Sequence, residues 1–176
     1  MQANRLVIVN GQEGVGKSTL VRALLRHTPQ GAQIDAEDVG QVHPWVFDDA
    51  FRELHRRNVA CLVRNFWQAG YHNVVAGSFL QDHAQYLAFR ALLPEEAAVF
   101  VVRLLASKAV RDHRRIHRGK PTSRQWRDHV DAAYPDDTTF RRATADYRYV
   151  EVDNSHQTVE ETVSSIKAAF PEIYTA

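Results

Sequence analysis

The chain has 176 residues, which is enough for one substantial core and short for two ordinary domains, so we expect a single domain over residues 1–176. A hydrophobic share of 44% and a charged share of 24% argue against the disordered and fibrous classes. The formal net charge of +1 gives no general attraction to nucleic acid, although basic residues are concentrated between Arg103 and Arg127.

The sequence has the features of a cytoplasmic protein. Its apolar run near the N-terminus is too short for a signal peptide, and no run approaches the roughly 18 apolar residues of a membrane helix. The single cysteine, Cys61, cannot form an internal disulfide, and its apolar surroundings predict a buried thiol. We therefore expect a cytoplasmic location and no membrane partner, while the oligomeric state stays open.

Apolar runs alternate with helical patterns along the chain. Strands are predicted at 6–9, 32–35, 73–78, 98–104 and 147–152. Helices are predicted at about 16–27, 49–69, 81–93 and 107–118, and two more are predicted to begin after Ser123 and, as the last one, at Thr158. Leu54, Leu62 and Phe66 are expected on the buried side of the helix at 49–69. This order predicts an α/β fold of three layers, with a parallel sheet between helices on both faces. Ligands of such folds bind at the carboxyl ends of the strands.

The most specific motif follows the first predicted strand. Gly11, Gly16, Lys17 and Ser18 match the spacing of a phosphate-binding loop, in which backbone amides and a helix N-terminus surround phosphate oxygens. Lys17 can then reach the β and γ phosphates, and the Ser18 hydroxyl can bind the magnesium ion between them. The chain lacks a guanine-specifying Asn-Lys-x-Asp pattern, which favours ATP over GTP. The predicted ATP site comprises Gly11, Gln12, Glu13, Gly14, Val15, Gly16, Lys17, Ser18 and Thr19.

An acidic cluster follows the second predicted strand. An acid at the end of a strand beside the phosphate loop can hold magnesium or accept a proton from an attacking hydroxyl, and Asp35 occupies that position. Glu37 and Asp38 come directly after it and are candidate contacts of the second substrate. The alternative for all three is an ordinary surface turn.

Arginines and aromatic residues supply the remaining candidates. Arg114 and Arg118 are four residues apart on one predicted helix, so both can close over the triphosphate and stabilise charge on the transferring group. The alternative is a solvated helix face. Trp45 and Phe79 follow predicted strands and can line an acceptor pocket, although aromatic residues are more often part of the core.

Together with the late segment Val152-Asp153-Asn154-Ser155, these motifs resemble the adenylate-kinase-like group of small P-loop kinases, which includes shikimate and gluconate kinases. Within that group the chain is most similar to the tunicamycin-resistance ATP-binding and chloramphenicol phosphotransferase-like proteins. The resemblance implies a P-loop NTPase fold with a central five-stranded parallel sheet, and ATP with magnesium as cofactors. It also implies a mobile arginine-rich lid over about 107–133, adenine contacts at Asp153 and Asn154, and Asp35 as magnesium ligand or general base.

One departure from many P-loop proteins is that 74–78, at the end of the third predicted strand, lacks the second magnesium-binding acid. This disfavours motor, transporter and GTPase functions.

Three hypotheses about the function remain. The first is phosphoryl transfer from ATP to a hydroxyl of a small molecule, either nucleoside-containing or antibiotic-like; the second is ATP-gated sequestration without transfer. The third, a nucleotide or polynucleotide kinase using the basic stretch, ranks last because a nucleic-acid partner is unlikely without a larger basic surface.

Overall fold

The computed structural model describes residues 3–119, 122–136, 138–142 and 146–174. Five strands form one sheet in the order β2-β3-β1-β4-β5, and every pair of neighbours is parallel. The strands are β1 (Arg5–Asn10), β2 (Gly31–Asp35), β3 (Asn73–Gly77), β4 (Ala98–Leu105) and β5 (Arg148–Asp153). The predicted five-stranded parallel sheet is therefore confirmed.

Helices connect the strands and cover both faces of the sheet. They are α1 (Lys17–Leu25), α2 (Asp49–Gln68), α3 (His83–Arg90), α4 (Lys108–His117), α5 (Arg124–Ala133), α6 (Val159–Ala169) and the short α7 (Pro171–Tyr174). Two 3₁₀ helices, Ala36–Val39 and Thr139–Arg142, follow β2 and α5. None of the helices in the described part of the chain is both long and apolar enough to cross a bilayer.

The core consists of two layers, one on each face of the sheet. Alternate residues of β1 point to opposite faces, and Leu6 to Val9 are all at most 1% exposed. The first layer holds apolar residues of α2 and α3, including Val63 and Phe89. The second holds apolar residues of α1 and α6, including Leu24 and Ile166. Burial on both faces explains why the strands read as continuous apolar runs.

Local signals predicted the starts of α4, α5 and α6. The hydroxyls of Ser107 and Ser123 accept hydrogen bonds from the amides of Val110 and Trp126 at the starts of α4 and α5. Thr158 and Glu161 form the expected capping box at the start of α6. The helix from Thr158 is not the last one, however, because α7 follows it.

Two expectations about α2 were wrong. Cys61 is exposed, because it lies two positions beyond buried Val59 and a helix turns by about 200° over that interval. Leu54 is 46% exposed, since the buried positions of α2 begin only at Val59. The first half of α2 instead faces the cavity described below.

The parallel arrangement brings the carboxyl ends of all five strands to one edge of the sheet. In register across this edge, Asn10 of β1 is beside Arg103 of β4, and Arg103 is beside Glu151 of β5. On the other side, Asp35 of β2 is paired with Gly77 of β3. The acid predicted to be functional and the start of the phosphate loop are thus at the same edge.

Candidate active site

The loop between β1 and α1 depends on glycine at positions where a side chain has no room. Gly11 has φ +140°, and a Cβ there would lie 2.5 Å from the carbonyl oxygen of Leu104. Gly14 has φ +85°, and its Cβ would lie 2.9 Å from Nε of Arg115. Residues other than glycine rarely adopt these backbone conformations. The segment from Gly11 to Gly14 is therefore a closely packed loop, as a phosphate cradle requires.

Lys17 lies in the first turn of α1 and points back into the loop. Its Nζ donates hydrogen bonds to the carbonyl oxygens of Gly11 at 2.8 Å and Gln12 at 3.0 Å. Burial lowers the pKa of Lys17, and the carboxylates of Glu13 and Glu37 oppose that shift. Ser18 follows it half-buried, and Thr19 is exposed. The phosphate loop thus holds the Lys17 amino group through two of its own carbonyl oxygens.

Asp35 is the buried acid of the site, with only 8% of its surface exposed. Its Oδ2 accepts a hydrogen bond from Nη2 of Arg22 at 3.1 Å, but the Arg22 side chain is 61% exposed, so water screens this ion pair. Its Oδ1 is buried and has no hydrogen-bond partner among the described residues. A buried carboxylate oxygen without a partner is costly, and a ligand proton or a hydrated cation would satisfy it.

The 3₁₀ helix Ala36–Val39 follows Asp35 directly and is held by α2. Nε2 of His55 lies 2.5 Å from the carbonyl oxygen of Ala36. Nδ2 of Asn58 donates to the carbonyl oxygen of Val39 at 3.1 Å. Sequence reasoning missed both residues, because a polar residue on a long helix gives no sign of which distant carbonyl it meets. They fix the backbone that carries Asp35, Glu37 and Asp38.

Arg114 joins α4 to the far side of the phosphate loop. Its guanidinium donates to the carbonyl oxygens of Val15 and Asn154, each at 2.9 Å, and to Oδ1 of Asn154 at 3.0 Å. Nδ2 of Asn154 also donates to Val15 at 2.9 Å. The exposed Asp153 accepts a hydrogen bond from the amide of Ser155 at 2.9 Å. The structure thus brings Arg114 together with the predicted adenine-binding segment.

Arg115 is a central residue that the sequence analysis did not select. It is fully buried and binds the Glu13 side chain, the Glu13 carbonyl at 2.7 Å, and Oδ1 of Asp131 at 2.7 Å. Burial opposes its charge, but the hydrogen bonds to Asp131 and Glu13 outweigh burial and raise the pKa of Arg115. Arg118, which is 45% exposed, also pairs with Glu13, at 2.6 Å. Glu13 therefore joins Arg115 of α4 and Arg118, the residue that follows the helix, to the phosphate loop.

A cavity of about 720 Å³ opens beside the phosphate loop. Its lining includes Lys17 and three of the predicted acceptor residues, Glu37, Trp45 and Phe79. Asp35 and Asp38 do not line the cavity. Asp38 is exposed, and Asp35 is the last residue of β2. Phe79 is only 8% exposed and belongs to the core as well.

Arg103 also lines this cavity and was missed as a site residue. It is 1% exposed, forms an ion pair with Asp136, and has Nε 3.8 Å from Glu151. The sequence does contain a signal for Arg103, because it is a charged residue within the otherwise apolar β4. Charged residues are almost never fully buried unless they are paired, so this position predicts an ion pair.

Comparison with solved structures identifies the architecture. A gluconokinase from Sinorhizobium meliloti 1021 superimposes with a TM-score of 0.71 at 19% identity, covering 99% of this chain and 95% of that one. A sugar kinase from Janibacter gives 0.70 at 16% identity, over 99% and 100% of the two chains. The tunicamycin resistance protein of Deinococcus radiodurans gives 0.63 at 16% identity, over 94% of each.

The sequence matches no protein-family model and no curated protein at a significant level. At these low identities the structural likeness establishes the fold, and it confirms the resemblance inferred from the motifs at that level. The chain has the α/β fold of the small P-loop kinases.

Proposed function

We propose that the protein transfers the γ-phosphoryl group of ATP to a hydroxyl group of a small molecule. The observation that carries this proposal is Asp35: a buried carboxylate with one unpartnered oxygen, at the end of β2 on the same edge of the sheet as the phosphate loop. The kinase folds of the structural neighbours support the same reaction class.

In the proposed reaction the acceptor oxygen attacks the γ-phosphorus of ATP. A bond forms between that oxygen and phosphorus, the bond from phosphorus to the β,γ-bridging oxygen breaks, and ADP leaves with the electron pair. Asp35 accepts the hydroxyl proton on Oδ1, the oxygen that lacks a partner. Because the transition state is largely dissociative, the remaining work of the protein is positioning and charge stabilisation.

The residues that would hold ATP are distributed around the loop. Lys17 can exchange its hydrogen bonds to the carbonyl oxygens of Gly11 and Gln12 for phosphate oxygens. Arg114 and Asn154 lie together beside Val15, where the resemblance places the adenine. Arg118 is exposed at the end of α4, so its guanidinium can move from Glu13 to the triphosphate.

The donors around the loop also fit magnesium. Among the described residues, no cluster of three or more His, Cys, Asp or Glu side chains forms a cation site by itself. A magnesium ion needs no such cluster, since it keeps several waters and takes other ligands from phosphate. In the reaction as proposed, the Ser18 hydroxyl would be the protein's ligand, and Asp35 would hold the ion only in the alternative in which it does not act as the base. The ion would neutralise charge on the phosphates.

Charge pairing weighs against the polynucleotide-kinase alternative. Arg111 and Arg115 are bound to Asp131, and Arg127 lies 3.4 Å from Asp112. Lys108 contacts three carboxylates on α4 and α5, Asp112, Asp128 and Asp131. Phosphate backbones are bound by cations that can release their counterions, and these cations are already neutralised within the protein. We therefore propose a small-molecule acceptor and not a nucleic acid.

The proposal is tested by ADP formation with ATP, magnesium and a panel of hydroxyl compounds, comparing the wild-type protein with Asp35→Asn. Loss of a general base lowers kcat by about 10²- to 10⁴-fold. Asn keeps the size of the side chain and can still bond to Arg22, so it isolates the lost proton acceptor. Undiminished transfer by Asp35→Asn would remove Asp35 from the chemistry.

The sequestration hypothesis predicts a different result in the same experiment. A compound would bind in the presence of ATP, remain chemically unchanged, and produce no ADP above the background. Mass spectrometry of the recovered compound separates the two functions, because phosphorylation adds one phosphoryl group to it.

A further inference from the structure

The phosphate-loop segment Gly11 to Ser18 contains one acidic residue, Glu13. Such a loop surrounds phosphate oxygens with amide hydrogens, so a carboxylate within it places a like charge beside the ligand. The Glu13 side chain is 29% exposed and lines the cavity at the loop. Burial lowers the pKa of Lys17, and the negative charge of Glu13 is the strongest influence that opposes this shift. The carboxylate therefore acts on the same lysine that a triphosphate would contact.

Two arginines hold the Glu13 carboxylate, and they differ in how firmly they are fixed. The Arg115 side chain is 0% exposed, and it also binds the Glu13 carbonyl and Asp131, each at 2.7 Å. The Arg118 side chain is 45% exposed, and its ion pair with Glu13 is its only one among the described residues. Arg118 has an extended backbone just beyond the end of α4. Arg115 is thus fixed by several partners, whereas Arg118 is free to exchange its single one.

The Arg118 guanidinium can neutralise only one anion at a time, either the Glu13 carboxylate or a bound triphosphate. A triphosphate carries several negative charges, so it attracts the guanidinium more strongly than one carboxylate does. Before Arg118 can bind ATP, its pair with Glu13 must break, and Glu13 then keeps only Arg115. The net contribution of an exposed ion pair is small, so this exchange is readily reversible.

We infer that Glu13 is a built-in competitor of ATP, which holds Arg118 in the free protein and lowers the affinity of the phosphate loop for the triphosphate. The carboxylate returns to Arg118 when the nucleotide leaves, which favours nucleotide release. This inference rests on the ATP site of the proposed function, but ATP binding is measured separately from phosphoryl transfer.

The test is calorimetric titration with magnesium and ATP at low salt. The variants are Glu13→Gln, Arg118→Met and the double variant of both. Glutamine keeps the size of the side chain and can still accept a hydrogen bond from Arg115, so Glu13→Gln isolates the lost charge. Glu53→Gln is the matched control, because Glu53 is 49% exposed and pairs with Arg56 on α2, outside the cavity lining. The urea midpoint of each variant establishes that it is folded.

Glu13→Gln should lower the Kd for ATP by about 2- to 5-fold, the change that corresponds to an exposed ion pair. Glu53→Gln should match the wild type, although it makes the same change in net charge. Arg118→Met should raise the Kd. In the Arg118→Met background, Glu13→Gln should produce a smaller gain in affinity, because no Arg118 is released. The difference between wild type and Glu13→Gln should decrease at high salt.

Three results would overturn the inference. The first is an unchanged or higher Kd for folded Glu13→Gln. The second is an equal gain with and without Arg118, which would show that Glu13 acts through general repulsion and not by competing for this arginine. The third is an unchanged Kd for Arg118→Met, which would show that Arg118 does not reach the triphosphate. The third test does not depend on the folding of Glu13→Gln.

The inference and the proposed function fail in different ways. The expected pattern of ATP affinities without phosphoryl transfer to any hydroxyl compound would refute the kinase and keep Glu13 as the competitor. Phosphoryl transfer together with equal ATP affinity of wild type and Glu13→Gln would keep the kinase and overturn the competition. Absence of ATP binding by the wild-type protein would overturn both.

Discussion

Replacing Arg115 with methionine should destabilise the whole protein, because this residue is the buried cation that joins α4 to Glu13 and Asp131. The Arg115 side chain is 0% exposed and bonds to Glu13 and Asp131, which are 29% and 14% exposed. Methionine replaces most of the apolar volume but removes the buried cation, while Glu13 keeps its ion pair with Arg118 and Asp131 keeps Arg111. Removal of one partner of a fully buried pair costs about 3 to 5 kcal/mol. Since both carboxylates are partly hydrated, we expect about 2 to 3 kcal/mol.

Urea denaturation followed by circular dichroism measures this loss as a lower midpoint at an unchanged m-value. Arg118→Met is the matched control, because Arg118 lies near the end of the same helix and also pairs with Glu13 but is 45% exposed. Its loss should be about 0 to 1 kcal/mol, as for other exposed ion pairs. Equal stability of the two variants would show that burial of Arg115 does not determine its contribution.

Substitutions in the phosphate loop, in the predicted adenine-binding segment and at the start of α6 should each have a distinct effect. Gly11→Ala should raise the Kd for ATP by at least about tenfold, because its Cβ would lie 2.5 Å from the Leu104 carbonyl, and calorimetry with ATP checks this. Asn154→Ala removes the hydrogen bond to Val15 and should raise KM for ATP more than KM for the acceptor, which steady-state kinetics distinguishes; an equal rise in both would contradict the adenine contact that we propose for Asn154. Thr158→Ala removes the cap of α6 and should lower the free energy of unfolding by about 1 kcal/mol, with activity unchanged at 25 °C, and an unaltered urea midpoint would contradict the role of this cap.

Features that depend on neighbouring residues were predictable from the sequence. The phosphate loop could be predicted because its glycines, lysine and serine all lie within the short segment Gly11 to Ser18. The caps at Ser107, Ser123 and Thr158 bond to amides three residues away, so a short pattern contains both partners. The sheet followed from apolar runs separated by helices, because the strands of a parallel sheet that helices cover on both faces are apolar along their whole length.

Features that depend on distant pairing were not predictable in the same way. Arg114 and Arg115 are adjacent in the sequence and equally basic, yet Arg115 is the one buried against Glu13, which is 102 residues away. Likewise, Arg103 acquires its role only when folding brings Asp136 to it from beyond α5. A single sequence contains both members of such pairs, but it does not indicate which charged residues pair with each other or which of them become buried.

The most direct test of the central claim is the fate of the γ-phosphate of isotopically labelled ATP in the presence of magnesium and a saturating acceptor. If the protein is a kinase, the label appears on the acceptor in the same amount as ADP, and Lys17→Met abolishes both products. Label found only as inorganic phosphate, at a rate that does not change when the acceptor is added, would contradict phosphoryl transfer and leave the protein as an ATP-hydrolysing or ATP-gated binder.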